Sequence, residues 1–212
     1  MHRFALAFAA LVFSAAAGAA DRWVEGTHYS KIEPAQPVDA PAGKVEVVEV
    51  FSYGCSHCNE FLPIMENLKK GLPANAQMRY LPATFGRDAW TTFARAYYAA
   101  EAMGILDKTH PALFKAIWTD RKIEPTSPKL EDIAALYASV AGVKAEDVIA
   151  TANSFAINAK IKRGEAYIKN TGVDGTPALI VGGKYRFSGA TAGSFGAIGE
   201  LLNYLVALDG GK

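Results

Sequence analysis

Both cysteines of the chain fall in one short stretch, Cys55-Ser56-His57-Cys58, where one hydrophobic pattern gives way to another. Before it, Val45 to Phe51 is an apolar run of strand length, rich in valine. After it, Phe61, Met65, Leu68 and Leu72 recur at three- and four-residue steps, the spacing of a helix that buries one face. The first cysteine therefore lies where a strand hands over to a helix, and in an open α/β sheet that edge is where chemistry is usually placed. A helix N-terminus presents unpaired N–H groups and a partial positive charge, and both favour an anion. A cysteine held there is biased towards thiolate, the form that attacks disulfides. The stretch points to redox chemistry.

The compartment has to suit such a pair. The chain opens Met1-His2-Arg3, stays apolar or small from Phe4 to Ala17, and reaches Gly18-Ala19-Ala20 before Asp21. One positive charge, a short apolar core and small residues at the cut describe a signal peptide over residues 1–20, cleaved after Ala19 or Ala20. The run is short for a bilayer-spanning helix, which takes about 20 apolar residues. An exported protein meets oxidising surroundings in which a cysteine pair can persist as a disulfide. Loss of the leader removes Arg3 and no acid, so 22 basic against 21 acidic side chains become equal numbers. That balance argues against nucleic acid or an anionic membrane as the main partner. Residues 21–212 are long enough to bury one core, with room for an insertion.

Along the chain, residues 21–43 carry turn formers, with a short edge strand expected around His28 to Ile32. In the buried strand, Glu49 shares a face with Val45, Val47 and Phe51, and Glu46 falls on the other. The helix is expected over Cys58 to Leu72, kinked by Pro63 and closed by Gly71-Leu72-Pro73. A second strand over Gln77 to Leu81 completes a right-handed βαβ unit with a parallel pair. From about residue 88 to 170 the period stays helical. Phe93, Tyr97 and Ala100 form one stripe. Pro111 is expected to start a segment with Phe114, Ile117 and Trp118, and Pro128 another that Gly142 stops. Further turns run from Ala145 to about Asn170, with Gly172 as C-cap. Four or five helices exceed one crossover and read as a helical insertion. Ala178 to Val181 and Lys184 to Ser188 then flank a two-residue Gly182-Gly183 turn, and Phe195, Ile198, Leu202 and Leu205 mark a closing helix.

The order βαβ, helical insertion, ββα, with Cys-x-x-Cys at the first helix start, resembles the thioredoxin fold, and within it the DsbA family of bacterial periplasmic oxidases. The resemblance covers nearly all of residues 21–212. Its marks are Glu49-Val50-Phe51-Ser52 before the motif, His57 inside it, Pro63 eight residues after Cys55, and Val173-Asp174-Gly175-Thr176-Pro177 before the hairpin. Ser56 departs from it, since the best-known DsbA proteins carry proline there, and that dipeptide tunes redox poise. The resemblance implies Cys55 as the exposed nucleophile and Cys58 as the buried resolving thiol. Pro177 would be the family's cis-proline, facing the cysteines and pairing its backbone with substrate, with Thr176 and Ser56 beside it. It implies as partners unfolded or folding exported proteins with free thiols, and a DsbB-like, quinone-linked membrane protein that reoxidises the pair. A periplasmic monomer without metal or soluble cofactor is expected.

Other uses of these residues fit the pattern less well. A two-residue spacer closes so small a loop that a structural disulfide would be a poor staple. Zinc needs about four ligands, and there is no second cysteine pair. Haem attachment would want histidine where Asn59 stands. His57 can help the Cys55 thiolate by charge or hydrogen bonding, or it can be a solvated surface residue. Glu49 has two readings. It is either a buried acid beneath the motif, with a raised pKa and a part in moving the Cys58 proton, or an exposed acid on a strand end. The resemblance favours the first. Phe93, Tyr97 and Phe114 read as core. A disulfide isomerase or reductase on the same fold, or a peptide-binding chaperone using the cis-proline edge, are the alternative functions.

Overall fold

The computed structural model describes residues 22–210; the expected signal peptide lies outside the described residues. Its centre is the strand β2 (Val45–Phe51), every residue of which is buried. Edge strand β1 (Ser30–Lys31), β3 (Ala76–Pro82), β4 (Ala178–Val181) and β5 (Tyr185–Ser188) complete a sheet of order β1-β5-β4-β2-β3. β2 pairs parallel with β3, Val45 opposite Ala76 and Phe51 opposite Pro82. On its other side it pairs antiparallel with β4, Val47 opposite Val181 and Val50 opposite Ala178. A strand with neighbours on both sides and cover on both faces favours apolar side chains, and each fully buried valine contributes roughly 2 kcal/mol.

One face of the sheet, with Val45, Val47, Leu179 and Val181, is covered by Phe61 and Met65 of α1 (Ser56–Lys70) and by Leu201, Leu202 and Leu205 of α7 (Ile198–Gly210). The opposite face, with Val48, Val50 and Ile180, packs on Ile168 of α6 (Phe155–Thr171). The expected helical insertion is present as α2 (Asp88–Ala102), α3 (Leu106–Phe114), a π-helical turn (Lys115–Thr119), α4 (Leu130–Ala141), α5 (Ala145–Ala152) and α6. Its own core, built on Phe93, Leu113, Ile117, Ile133 and Val148, reaches Phe51, Tyr53 and Cys58 at the end of β2 and the start of α1.

Several boundaries differ from the expected ones. α1 starts at Ser56 with Cys55 as its N-cap and stops at Lys70, because Gly71 caps it by donating to Asn67 and Leu68 carbonyls. Pro63 lies inside α1. Pro111 does not open a helix but lies within α3, which begins at Leu106 after Gly104 (φ +68°) ends the preceding segment. The α3 core stripe is Leu106, Thr109, His110, Leu113 and Phe114, so two polar residues at core positions concealed its first half. Pro128 precedes the extended N-cap Lys129 rather than opening α4. The hairpin connection is three residues, Gly182-Gly183-Lys184, since Val181 pairs with Tyr185. Lys184 N–H still closes the turn on the Val181 carbonyl at 3.0 Å. Gly142 and Gly172 cap α4 and α6 in the left-handed conformation, as expected.

Glu46 is buried at 3% exposure and ion-paired. Arg79 of β3 grips both its oxygens, Nε–Oε1 at 2.9 Å and Nη2–Oε2 at 3.1 Å, and the Asp39 N–H donates to Oε1 at 3.0 Å. The pair ties the outer strand β3 and the loop before β2 to the sheet centre. Arg79→Met should strand that carboxylate and lower stability by about 3 kcal/mol in urea melts at neutral pH, with most of the loss recovered in Arg79→Met/Glu46→Met. Equal losses in the single and double variants would mean that the pair contributes packing alone.

Candidate active site

The site is assembled where β2 ends. Ser52-Tyr53-Gly54 turns the chain into α1, with Cys55 N–H donating to the Ser52 carbonyl at 3.1 Å and Gly54 N–H to Ser52 Oγ at 3.2 Å. Cys55 is half-buried, and Cys58, one turn into α1, is 1% exposed. Both are free thiols, the dithiol state of the pair. The loop before β4 approaches from the other side, so that Cys55 Sγ reaches the Thr176 carbonyl at 3.4 Å across 121 residues of sequence.

These surroundings make the two sulfurs unequal. The Cys55 pKa is lowered to about 5, first by a hydrogen bond from the Cys58 thiol. Partial burial opposes this, while Thr176 and the backbone N–H groups of Cys58 and His57 add to it. Cys58 is pushed the other way, by burial first and then by its role towards Cys55 and the nearby charges of Cys55 and Glu49. Glu49, 4% exposed on β2 between Tyr80 and Leu179 of the neighbouring strands, is raised to about 8 by burial and by the Cys55 charge. At neutral pH the site thus holds one thiolate, one thiol and one neutral carboxyl. The charge sits on the sulfur nearest solvent.

Ser56 and His57 are exposed on the first turn of α1. His57 acts on the Cys55 sulfur through its backbone N–H. The Thr176–Pro177 peptide is cis, and a second cis bond, not anticipated from the sequence, joins Glu33 and Pro34. The Thr176 hydroxyl is buried and, among the described residues, has no partner within ordinary hydrogen-bond distance, which leaves it free to act on the Cys55 sulfur. Beside it runs a groove of about 370 Å³ lined by His57, Thr176, Pro177, Phe187 and Phe195. Thus Cys55, Cys58, Glu49, Thr176 and Pro177 converge, while His57 lines the groove from the helix end and Ser56 lies exposed beside it, outside the groove's lining. Among the described residues no cluster of three or more His, Cys, Asp or Glu is placed to hold a metal ion.

Tyr53 in the turn before Cys55, and Trp90, His110 and Trp118 around it, carry no mark of a site in the sequence. Trp118 Nε1 donates to the Tyr53 carbonyl at 2.9 Å, and His110 Nδ1 meets the Tyr53 hydroxyl at 2.8 Å. The signal for His110 was a polar residue in register with an apolar stripe.

Comparison with known proteins agrees with this geometry. Residues 46–195 match the family model of the DSBA-like thioredoxin domain. The thiol:disulfide interchange protein DsbA of Pseudomonas aeruginosa is 35% identical over 190 residues, 90% of this chain and 87% of its own. That of Burkholderia cepacia is 33% identical over 181 residues, 85% and 83% of the two chains. The crystal structure of Pseudomonas aeruginosa DsbA superposes with a TM-score of 0.81 at 34% identity, covering 90% of this chain and 96% of that one. A Proteus mirabilis DsbA with a non-covalently bound peptide, PWATCDS, gives 0.72 at 27% identity, covering 87% and 98%. With a thioredoxin-type sheet, an unequal pair of thiols at the first helix and these relatives along most of its length, the chain belongs to the DsbA family and is a thiol:disulfide oxidoreductase.

Proposed function

We propose that the Cys55–Cys58 disulfide is the oxidant that this protein donates to exported substrate proteins. The single observation that carries the assignment is the inequality of the sulfurs, a half-exposed Cys55 lowered to about 5 and a Cys58 buried and held protonated. A substrate thiolate attacks Cys55 Sγ, the Cys55–Cys58 bond breaks, and its electron pair leaves on Cys58, which takes a proton. Glu49, protonated up to about pH 8, is the donor for that proton. A second substrate thiolate then attacks the substrate sulfur of the mixed disulfide, and Cys55 leaves as the stabilised thiolate. The substrate gains one disulfide, and the enzyme is left as the dithiol.

Thr176 and Pro177 border the groove in which the substrate chain lies, the Pro177 backbone pairing with it and the Thr176 hydroxyl available to the sulfurs, with Ser56 exposed nearby on the first turn of α1. His57 lines the same groove. The Proteus mirabilis relative with a bound peptide supports a peptide-like occupant. The mature unit is residues 21–212, a thioredoxin-like domain with its insertion over about 88–170, exported to the periplasm by the leader at 1–20 and acting as a monomer. Reoxidation falls to a DsbB-like, quinone-linked membrane protein, since the enzyme's own disulfide is spent at each turnover.

Cys58→Ala should accumulate mixed disulfides with thiol substrates through Cys55, visible on non-reducing gels. Trapping by Cys55→Ala instead would reverse the roles. Glu49→Gln should slow formation of the mixed disulfide at neutral pH by roughly 100-fold. In the same variant the stability gap to the parent should open as pH rises from about 4.5 and be complete above about 8. The reason is that a raised folded pKa makes the parent lose stability through that window. Parallel pH–stability curves for the two would show that Glu49 is not held neutral.

Burial of Glu49 is common to both redox states, so the difference between paired melts reports on the thiolate together with its repulsion of Glu49. The Cys55 pKa is lowered on folding, so it stabilises the dithiol form fully above the unfolded thiol value, near 8.5, and the gain drains as pH falls towards about 5. The reduced protein should therefore melt above the oxidised one at neutral pH and lose that lead by about pH 4. An oxidised form that is the more stable at every pH would point to a reductase.

A further inference from the structure

Tyr53 stands two residues before Cys55 and is fully buried, and the helical insertion holds it at both ends. Its hydroxyl meets His110 Nδ1 of α3 at 2.8 Å, and its carbonyl accepts from Trp118 Nε1 at 2.9 Å. The next residue, Gly54, lies so close under Trp90 of α2 that a Cβ there would fall 2.6 Å from the indole nitrogen. Three side chains from separate parts of the insertion thus grip two consecutive residues just ahead of the reacting thiol.

Packing alone does not ask for these residues. His110 sits in a cage of Phe51, Tyr80 and Phe114 rings, 4.7 to 5.3 Å between centroids, where an apolar ring would carry no buried nitrogen to satisfy. Trp118 reaches the carbonyl from the π-helical turn Lys115–Thr119, whose end is closed by Asp120 N–H bonding back five residues to Lys115 at 2.9 Å. Such turns give up regular helix bonding and are frequent at functional sites. Burial, with Lys69 adding to it, lowers the His110 pKa to about 3, so the ring stays neutral while Cys55 titrates.

We propose that Tyr53 is a positioning residue for the exchange reaction, clamped by His110 and Trp118 so that the insertion fixes where the Cys55 sulfur sits. The partners that favour the thiolate are the Cys58 thiol, Thr176 and the N–H groups of Cys58 and His57. All act as hydrogen-bond partners, whose strength falls steeply with distance and angle, so a small drift of the sulfur weakens every one of them. The bonds within the Ser52–Cys55 turn set its shape. Its placement against α1 and the Thr176 loop comes from the insertion. The proposal rests on Cys55 being the reacting thiol.

The test is titration of thiolate absorbance together with the equilibrium against glutathione. Trp118→Phe deletes the N–H and keeps a ring, and Tyr53→Phe deletes only the hydroxyl. Ile157→Val, in the buried core on α6, is the stability control. A rise of the Cys55 pKa by about half a pH unit or more in either aromatic variant, with a pair about threefold less oxidising, supports the clamp. The control should melt lower and titrate as the parent does. If both aromatic variants melt lower yet titrate with the parent, they serve packing alone and the clamp is overturned. A parent thiol near 8.5, read before any substitution, would instead overturn the assignment of Cys55 and the clamp with it.

Discussion

Two thiols and a carboxyl share a space too dry to hold three charges, and the rest of the structure answers to that restriction. Only Cys55 has both partial access to water and a set of donors, so the negative charge settles there. Glu49 and Cys58, walled in by β3, β4 and α1, stay protonated. Were the acid to ionise beside the thiolate, like charges would oppose each other where little solvent screens them. Each element near the site serves this division. β2 brings the acid, the first turn of α1 brings the N–H groups and the second thiol, and the loop before β4 brings Thr176.

The sheet supplies the rigidity that such a division needs. β2 is buried on both faces and paired on both sides, so its end is held from every direction. The insertion adds a second core that meets the first at Phe51, Tyr53 and Cys58. Polar contacts cross that junction at only a few points, and two of them land on Tyr53.

Much of this was legible in the sequence because the signals were local. The valine-rich run, the Cys-x-x-Cys at its end, the left-handed glycines at the C-caps and the Gly-Thr-Pro-Ala segment each mark a backbone requirement in a few residues. The face on which Glu49 is buried could not be read, since alternation is symmetric until the covering helices are known; with α1 and α7 on one side and α6 on the other, both faces are interior. Pro111 misled because prolines mark helix starts on average, and the stripe that contradicts it runs through Thr109 and His110. Tyr53, His110 and Trp118 meet only through tertiary packing, so spacing along the chain held no sign of their contact.

The reach from Cys55 to Thr176, 121 residues, bears on when the protein becomes reactive. As a chain emerges from its N-terminus, β2, α1 and β3 can form early, bringing both cysteines near the acid on β2. The strand that completes the centre of the sheet, and the loop that faces the sulfur, arrive only after the whole insertion. Contacts so distant in sequence close late. Until then Cys55 lacks Thr176 and a fixed seat, and behaves more like an ordinary thiol. The oxidising power of the pair therefore belongs to the finished fold and not to its N-terminal half, because the thiolate is fully stabilised only when the last strands are in place.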